Sequence, residues 1–521
     1  MMLSLLRAPG ITLRLARDGL RLARGGLPEL IGIENLPGPA RFMLRLVGGL
    51  KPGAELDPER LSQTLADLGP SHIKLGQFLA TRPDVIGVQA AAGLARLHDS
   101  LPSFSDGAAR REIEAAFDRP AEEIFVEFGP AIAAASIAQV HRAILKPTEE
   151  DGEPYAVAVK ILRPGVERRF SRDLEGFFFA ARTMEWLSAE ARRLRLTEIV
   201  ATLERTVELE MDLRMEASAM AEMAQNTKDD PGFAVPRVDW PLISKRVLTT
   251  TWIDGIALHD LDALDAAGHD REALGQLVIQ SFLRHAMRDG FFHADMHPGN
   301  LFVDAAGTLV AVDFGIMGRL SHKDRRFLAE ILFGFITRDY ARVAQVHFDA
   351  GYVPERHTVQ EFAQALRAIG EPILGREARD VSMARLLTQL FEVTAQFDMA
   401  TQPQLILLQK TMVVVEGVGR MLDPGLNMWT TAEPVVREFM ESRLSPEGRI
   451  LDAAEGAAAL GRIVAGLPEF LEEAERATAN LARLASENER NRDGRAGNEA
   501  LRLPLWVGAW ALVVIAFIVL F

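Results

Sequence analysis

The 521-residue sequence contains no cysteine. Disulfides, thiolate metal sites and cysteine nucleophiles are therefore excluded, and a reducing compartment fits this composition. The chain also lacks an excess of positive charge. Its formal net charge of -14 argues against nucleic acid as a partner, because neutralising phosphates requires a concentrated basic surface. No apolar signal-peptide segment occurs among the first residues, so secretion is not indicated. With 48% hydrophobic residues, the chain is long enough for two lobes or two to three domains.

The C-terminal residues 503–521 carry no charge at all. As a helix they would span roughly 28 Å, close to the hydrocarbon thickness of a bilayer. A polar linker, residues 486–502, precedes them and carries four arginines: Arg490, Arg492, Arg495 and Arg502. Positive residues on that side predict a single-pass C-terminal anchor with the catalytic lobes in the cytoplasm. A buried core helix is the alternative, but it would normally show a polar stripe.

Near the N-terminus, arginines recur at spacings of three and four, at Arg14, Arg17, Arg21 and Arg24. In a helix this spacing forms a basic stripe beside Leu13 and Leu20. The sequence leaves two interpretations open, a helix lying on an anionic membrane surface and a solvated surface helix.

Between these ends, the order of elements predicts an α+β fold. A helical N-terminal region is predicted over residues 1–120, and short β-branched runs at 122–130, 136–145 and 155–162 predict a small antiparallel sheet. Another strand and turn follow at 246–255. We therefore predict an N-lobe over 121–255 and a mainly helical C-lobe with C-terminal helices over 256–485.

The strongest chemical signal lies in residues 291–315. Asn300 follows Asp295 by five positions, and Asp313, which opens an Asp-Phe-Gly tripeptide, follows Asn300 by thirteen. These residue types and spacings match the catalytic loop and metal-binding turn of protein kinases. We predict Asp295 as the catalytic base and Asn300 with Asp313 as Mg²⁺ ligands, brought together by a hairpin over 301–312. Singly, Asp-Phe-Gly is a common turn and Asp295 could cap a helix.

A lysine upstream fits the same chemistry. Lys160 ends the predicted strand AVAVK, where kinases place the lysine that binds ATP phosphates. A buried ammonium there needs a carboxylate partner, and Glu216 on the following helix is predicted, with Glu208 and Glu210 as alternatives.

Two kinase motifs are missing. No GxGxxG precedes Lys160, and the corresponding loop, residues 131–143, is rich in alanine. Unlike glycine, alanine has a Cβ that makes positive φ angles energetically unfavourable. This loop must therefore bind phosphate differently, or with less flexibility, than a glycine-rich loop does. No Ala-Pro-Glu follows Gly315, which makes the usual platform for a peptide substrate doubtful.

Together these motifs resemble the UbiB family of atypical kinases over most of residues 60–330. The identifying tetrapeptide is Lys74-Leu75-Gly76-Gln77, followed in family order by the alanine-rich loop, Lys160, Glu210-Met211-Asp212, HADMHPGN and Asp-Phe-Gly. The resemblance implies a bilobal protein-kinase-like fold with a helical N-terminal extension. It also implies binding of ATP and Mg²⁺, ATPase or unorthodox kinase activity, and support of ubiquinone biosynthesis at the cell inner membrane.

The resemblance also assigns residues and partners. The helix carrying Lys74 and Gln77 is expected to cover the site and to meet Glu210 or Asp212. Expected partners are membrane lipids or ubiquinone precursors, ubiquinone biosynthesis proteins and a second copy of the chain. Many bacterial relatives look as though they carry two C-terminal spans, whereas this chain shows one. Nucleotide contacts are expected at Ala133, Ala134, Ala135, Ser136, Ile137, Thr251 and Ile253, with Trp252 in the same inter-lobe segment.

Two other functions remain open from the motifs. A small-molecule phosphotransferase of the aminoglycoside or choline kinase type has a similar catalytic loop, although the Lys74–Gln77 motif and the terminal span speak against it. A non-enzymatic scaffold that presents lipid intermediates through nucleotide-driven shape change would need no turnover, yet Asp295, Asn300 and Asp313 are all intact.

Overall fold

The computed structural model describes residues 2–25, 58–80, 101–147, 152–187, 189–374 and 403–444, together with 86, 93–94, 393 and 396–399. Within these ranges, no helix is both long and apolar enough to cross a bilayer. The predicted linker 486–502 and anchor 503–521 lie outside the described residues, so the anchor stays a prediction.

Within its described residues, the N-terminal extension is helical, as predicted. These residues form α1 (Met2–Arg24), α2 (Pro58–Leu68) and α3 (Pro70–Ala80), and α3 carries the Lys74–Gln77 motif. Gly69 separates the last two with φ of +103°, a backbone conformation that suits glycine, and Pro70 then starts α3 at the position where proline costs a helix least. The three helices share a small apolar core formed by Leu22, Leu61, Leu65, Leu68, Ile73 and Leu79.

The N-lobe is built around a four-stranded antiparallel sheet. In chain order its described elements are α4 (Asp106–Phe117), α5 (Ala121–Ile124), β1 (Phe125–Ala134), β2 (Ala138–Leu145), β3 (Tyr155–Leu162), α6 (Val166–Leu187), α7 (Ala189–Leu194), α8 (Leu196–Glu210), α9 (Leu213–Asn226), β4 (Phe233–Ala234) and β5 (Val247–Thr251). The strands of the sheet follow the order β1-β2-β3-β5. Side chains alternate along β2 and β3, and their buried face packs on α4 through Ala109 and Ile113. The other face, which carries Lys160, borders the cleft.

The described part of the C-lobe is mainly helical, with two small sheets that hold the catalytic segments. Its elements are β6 (Gly255–Ala257), α10 (Leu261–Ala266), α11 (Arg271–Arg284), β7 (Phe291–His293), β8 (Leu301–Asp304), β9 (Leu309–Ala311), β10 (Met317–Arg319), α12 (His322–Ile336), α13 (Tyr340–Asp349), α14 (Val359–Leu374), α15 (Pro403–Leu422) and α16 (Met428–Leu444). One sheet pairs β10 with β7, and the other has the order β4-β9-β8-β6.

The strand predicted at 136–145 is confirmed as β2, but the loop predicted over 131–143 is wrong. β1 runs to Ala134 and β2 starts at Ala138, so only three residues connect the two strands. Pairing of β2 with the whole length of β3 explains the difference, because a neighbouring strand supplies ladder hydrogen bonds that override the weak strand preference of alanine.

Candidate nucleotide site

The catalytic loop follows β7, and a buried histidine fixes its start. His293 Nδ1 accepts a hydrogen bond of 3.1 Å from the Asp295 backbone N–H, while Nε2–H donates over 3.1 Å to the Val312 carbonyl. Burial lowers the pKa of His293, so the neutral ring is favoured. Its edge packs against Phe314 at a centroid distance of 5.0 Å. One imidazole thus ties the loop of Asp295 to the segment that leads from β9 to Asp313.

The predicted hairpin between the two motifs is confirmed. β8 and β9 pair antiparallel, and the Val312 N–H donates to the Asn300 carbonyl over 2.9 Å. The Asn300 side chain is buried, and its Nδ2 donates over 3.0 Å to the Asp295 carbonyl and lies 3.5 Å from the carboxylate Oδ2. Asp295 and Asn300 are therefore held side by side at the base of the cleft.

Lys160 reaches across the cleft from β3. Its Nζ lies 2.7 Å from Glu216 Oε1 on α9 and 2.7 Å from Asp313 Oδ1 in the C-lobe. The predicted pairing with Glu216 is therefore the one that forms, and the alternatives Glu208 and Glu210 are not its partners. Because Glu216 belongs to the N-lobe and Asp313 to the C-lobe, a single ammonium joins the two lobes at the site.

These three charges shift one another's pKa values. Burial alone would lower the pKa of Lys160, but the carboxylates of Asp313 and Glu216 outweigh it and raise that pKa. Burial alone would raise the pKa of Asp313, yet the Lys160 ammonium holds it well below its usual range. For Glu216, burial prevails over the attraction of Lys160 and raises the pKa to about 7. Asp313 is thus the firmly ionised member.

Asp313 adopts an unusual backbone conformation. Its φ of 61° lies in the left-handed region, which non-glycine residues seldom occupy, although aspartate tolerates it better than most. Such conformations cost free energy and concentrate at functional sites, where surrounding contacts impose them. Here the Val312 bonds on one side and the Lys160 ion pair on the other hold the aspartate in place.

The donor set fits a Mg²⁺ site of the kinase type. Among the described residues, no three histidine, cysteine, aspartate or glutamate side chains converge to hold a metal ion. The bonds above use Oδ1 of Asp313 and Nδ2 of Asn300, so each side chain has one further oxygen to offer. Two protein oxygens suffice for Mg²⁺, which commonly completes its shell with substrate phosphates and water.

An ion pair ties helix α3 to the end of α8. Lys74 Nζ lies 2.7 Å from Glu210 Oε2, and both side chains are largely buried. The ammonium of Lys74 also contributes to the lowered pKa of Asp313, although Lys160 contributes more. Gln77, one turn further along α3, is half-buried. The extension therefore brings a positive charge close to the predicted metal ligand.

Asp212, the other predicted partner of Lys74, has a different role. It is the N-cap of α9: its side chain accepts from the Arg214 backbone N–H at 3.1 Å and pairs with the Arg214 guanidinium at 2.6 Å. Hydrogen bonding to Arg214 lowers the pKa of Asp212. α8 ends at Glu210 and α9 begins after Asp212, so the two carboxylates belong to different helices. Glu210 pairs with Lys74, whereas Asp212 caps α9.

The inter-lobe segment lies at the end of β5. The Thr251 N–H donates to the Arg237 carbonyl over 2.9 Å, and its Oγ1 accepts from the Arg237 N–H over 3.0 Å. The Trp252 N–H donates to the Ala156 carbonyl over 3.0 Å, and half-buried Ile253 follows. Hydrogen bonds therefore fix the backbone of the inter-lobe segment as far as Trp252.

The alanine-rich residues lie at the opposite edge of the sheet. Ala133 and Ala134 belong to β1 and pair with Val140 and Gln139. The Ala135 N–H donates to the Ala138 carbonyl over 2.8 Å and closes the turn, in which Ser136 is buried. The structure thus places the seven expected nucleotide-contact residues in two groups.

Two contacts near the catalytic loop were not predicted from the sequence motifs. Thr411 on α15 is fully buried, and its Oγ1 lies 3.1 Å from the Ala294 carbonyl and 2.8 Å from the Leu407 carbonyl. His297 Nε2 lies 3.8 Å from Asp295 Oδ2. A histidine inside HADMHPGN was visible in the sequence, but Thr411 follows Ala294 by 117 positions and carries no local signal.

Comparison with known proteins agrees with this geometry. The ABC1 atypical kinase-like domain matches residues 96–347, and the UbiB helical domain matches residues 366–427. A probable protein kinase UbiB of Marinobacter nauticus is 39% identical over 444 residues, which cover 84% of this chain and 80% of that protein. The chain belongs to the UbiB family.

Other UbiB relatives support the same assignment. A probable protein kinase UbiB of Pseudomonas entomophila is 38% identical over 504 residues, covering 96% of this chain and 91% of the relative.

The solved structure of the Rv3197–erythromycin complex from Mycobacterium tuberculosis matches 72% of this chain and 95% of that chain, with a TM-score of 0.50 and 24% identity. That similarity supports the kinase-like α+β fold with its helical extension.

Proposed function

We propose that this UbiB-family protein binds Mg-ATP between its lobes, acts as an atypical kinase or ATPase, and supports ubiquinone biosynthesis at a membrane. The observation that carries the proposal is the convergence of Lys160, Asp313, Asn300 and Asp295 on one cleft. Phosphoryl transfer requires little more than positioned phosphates, compensated charge and a carboxylate beside the attacking oxygen.

In the proposed site, each side chain has one task. Lys160 orients the phosphates while Glu216 positions its ammonium. Asp313 and Asn300 hold Mg²⁺, which supplies charge compensation on the phosphate oxygens when bound. Asp295 accepts the proton of the attacking hydroxyl or water. His293 keeps Asp295 and Asp313 in a fixed relation because it bonds to both backbone segments.

The extension argues for a restricted acceptor. The ion pair between Lys74 and Glu210 holds α3 against the end of α8, and the Lys74 charge lowers the pKa of Asp313. Helix α3 therefore lies close to the phosphate end of the cleft. A covered cleft fits slow ATP hydrolysis better than phosphorylation of generic peptides. Efficient phosphorylation of unrelated peptides by the unmodified chain would contradict this part of the proposal.

Thermal unfolding of the full-length chain with and without Mg-ATP tests the nucleotide site. Ligand that binds only the native state shifts the transition by mass action, by about 2.7 kcal/mol at a hundredfold excess over Kd. We expect a shift that needs both Mg²⁺ and ATP and that Asp313→Asn abolishes. The exposed Asp349→Asn, at the end of α13, is the matched control and should keep the shift. An undiminished shift in Asp313→Asn would remove this residue from the metal site.

Fractionation and complementation test the cellular part of the proposal. Removing residues 486–521 should release the chain from the membrane fraction without loss of the Mg-ATP shift, because the catalytic residues lie outside that segment. In a bacterium deficient in its own UbiB protein, the intact chain should restore ubiquinone, and Asp295→Asn should not. Ubiquinone extracted from the cells is the measured quantity.

A further inference from the structure

Helix α9, which carries Glu216, is attached to the N-lobe at its start. The Leu213 N–H donates over 3.0 Å to the carbonyl of Lys245, two residues before β5. The buried face of α9 belongs to the main apolar core. Because apolar attraction has no preferred direction, polar contacts must also specify the rotation at which Glu216 faces Lys160.

An arginine of β10 attaches the middle of α9 to the C-lobe. Arg319 Nη1 donates to Glu222 Oε1 over 2.8 Å, and Nη2 donates to Oε2 over 2.5 Å. Two parallel hydrogen bonds between a guanidinium and a carboxylate fix an orientation as well as a distance. The pair therefore sets how α9 faces the C-lobe, although both side chains are partly exposed.

Arg319 is itself held on the C-lobe side. Its backbone pairs with that of Phe291 where β10 meets β7, and the guanidinium carbon lies 4.3 Å from the centroid of the Phe291 ring. Guanidinium groups stack favourably on aromatic rings. Because β7 leads directly into the loop of Asp295, the anchor for Glu222 belongs to the strand pair that carries the catalytic loop.

The C-terminal end of α9 is attached to the same lobe. Arg288, which follows α11, donates from Nη2 to the Asn226 carbonyl over 3.0 Å and pairs with the buried carboxylate of Asp230 at 2.5 Å. The last carbonyls of a helix have no partner within the helix, and a nearby arginine can satisfy them. Helix α9 is thus fixed to the C-lobe at its end and, one turn earlier, through Glu222.

Helix geometry connects the contact of Glu222 with the position of Glu216. Six residues separate the two glutamates, so Glu222 lies about 9 Å further along the axis and about 120° around it. A contact at a different height and on a different face opposes both the rotation and the tilt that would withdraw Glu216 from Lys160.

We propose that Arg319 is a positioning residue for nucleotide binding: through Glu222 it holds α9 where Glu216 meets Lys160. This inference rests on the proposed function, in which Lys160 orients the phosphates. Protein kinases place the equivalent lysine–glutamate pair under the control of activation-loop phosphorylation. In this chain, an ion pair between unmodified side chains performs that positioning.

Isothermal titration of the full-length chain with Mg-ATP and with adenosine tests the inference. Arg319→Met should raise Kd for Mg-ATP about fourfold, within the range for an exposed ion pair, and leave Kd for adenosine, which lacks phosphates, unchanged. Arg319→Lys, which keeps the charge but not the planar fork, should give an intermediate Kd. In a Glu216→Gln background, Arg319→Met should have no further effect, because both substitutions then remove the same interaction.

Arg437→Met is the matched control. Arg437 is also exposed, pairs with Glu433 at 2.6 Å and lies 5.9 Å from the centroid of the Phe333 ring. All three residues belong to helices of the C-lobe, so this pair does not involve α9. Its loss should leave both Kd values unchanged.

Three results would overturn the inference: equal weakening of Mg-ATP and adenosine binding, an unchanged Kd for Mg-ATP, or an effect that adds fully to that of Glu216→Gln. If Arg319→Met does not fold, Glu222→Gln, which leaves Arg319 on Phe291, replaces it in the same cycle.

Hydrogen exchange separates this inference from the proposed function. Measured without nucleotide, exchange at the α9 amides should be severalfold faster in Arg319→Met than in the unmodified chain or in Arg437→Met, because a helix released from the C-lobe opens more often. An unchanged rate would show that Arg319 does not hold α9. Absence of Mg-ATP binding by the unmodified chain would instead refute the proposed function.

Discussion

Lys160 and Lys74 form ion pairs of the same length, but the two pairs join different parts of the molecule. Each ammonium lies 2.7 Å from a glutamate oxygen, and both pairs are largely shielded from solvent. Lys160 additionally holds Asp313 and so joins the two lobes, whereas Lys74 joins the N-terminal extension to α8. We propose that the first pair builds the nucleotide site and that the second holds α3 over it. Equal geometry therefore serves unequal functions, and substitution should separate them.

The largest effect is expected from Lys160→Met. It leaves the carboxylates of Glu216 and Asp313 close together without their cation, and breaking a buried ion pair costs about 3 kcal/mol or more. We expect the free energy of unfolding in urea to fall by about that amount and the Mg-ATP shift to disappear. If Lys160→Met kept the stabilisation by Mg-ATP, the charge that binds the phosphates would lie on another residue. The proposed difference in function between Lys160 and Lys74 would then be wrong.

Lys74→Met should act in the opposite direction on activity. Loss of the pair with Glu210 frees α3 from the core, so autophosphorylation should rise about fivefold, at the low end of coupling free energies between sites. Glu210→Gln should reproduce the gain. Asp212→Asn keeps the N-cap of α9 and should not. If autophosphorylation rose in Asp212→Asn but not in Glu210→Gln, Asp212 rather than Glu210 would be the carboxylate that holds α3 in place.

The pH dependence of stability separates the members of the Lys160 cluster. The pKa of Glu216 is raised to about 7 from an ordinary value of 4.5, so between these values the native state binds a proton that the unfolded chain has lost. Stability must therefore fall as pH rises through this window, by about 1 kcal/mol between pH 6 and pH 7. Urea unfolding at several pH values measures the slope, and Glu216→Gln should flatten it. An unchanged slope in that variant would assign the titration to another group.

The smallest effect is expected at the alanine-rich turn. Ala134→Gly increases backbone freedom at the end of β1 and should cost roughly 0.5–1 kcal/mol of stability, with a change of a few-fold in Mg-ATP affinity. Because the Arg163 guanidinium donates two hydrogen bonds to the next carbonyl, that of Ala135, the change should remain far below that of Lys160→Met. Titration with Mg-ATP measures the change, and a loss of binding as large as that of Lys160→Met would show that the alanine itself is essential to the phosphate site.

The site was more predictable than its surroundings. Asp295, Asn300, Asp313 and Lys160 are recognisable because phosphoryl transfer restricts residue types and short loops restrict spacing. The choice of Glu216 also followed from order along the chain, since the strand of Lys160 is followed by helices that must pack beside it.

Errors arose where distant pairing decides the conformation. The strand at 136–145 was predicted, but the extension of β1 through residues 131–134 was not, because this alanine-rich segment has a weak strand preference and is held by its pairing with β2. Glu210 and Asp212 are two positions apart, and only the break between α8 and α9 tells which one meets Lys74. The hydrogen bonds from the Arg163 guanidinium to the Ala135 carbonyl could not be predicted, because a backbone acceptor leaves no signature in the sequence.

The contact of Thr411 with Ala294 bears on where this protein can be cut. Helix α15 closes the base of the catalytic loop and buries Leu408, Val415, Val418 and Leu422 in the same core as α11. An expression fragment that stops at residue 347, where the kinase-like match ends, would expose this apolar surface and leave a buried carbonyl without its hydroxyl donor. The smallest autonomous folding unit is therefore larger than the homology domain, and fragments for crystallisation or screening should extend through α16.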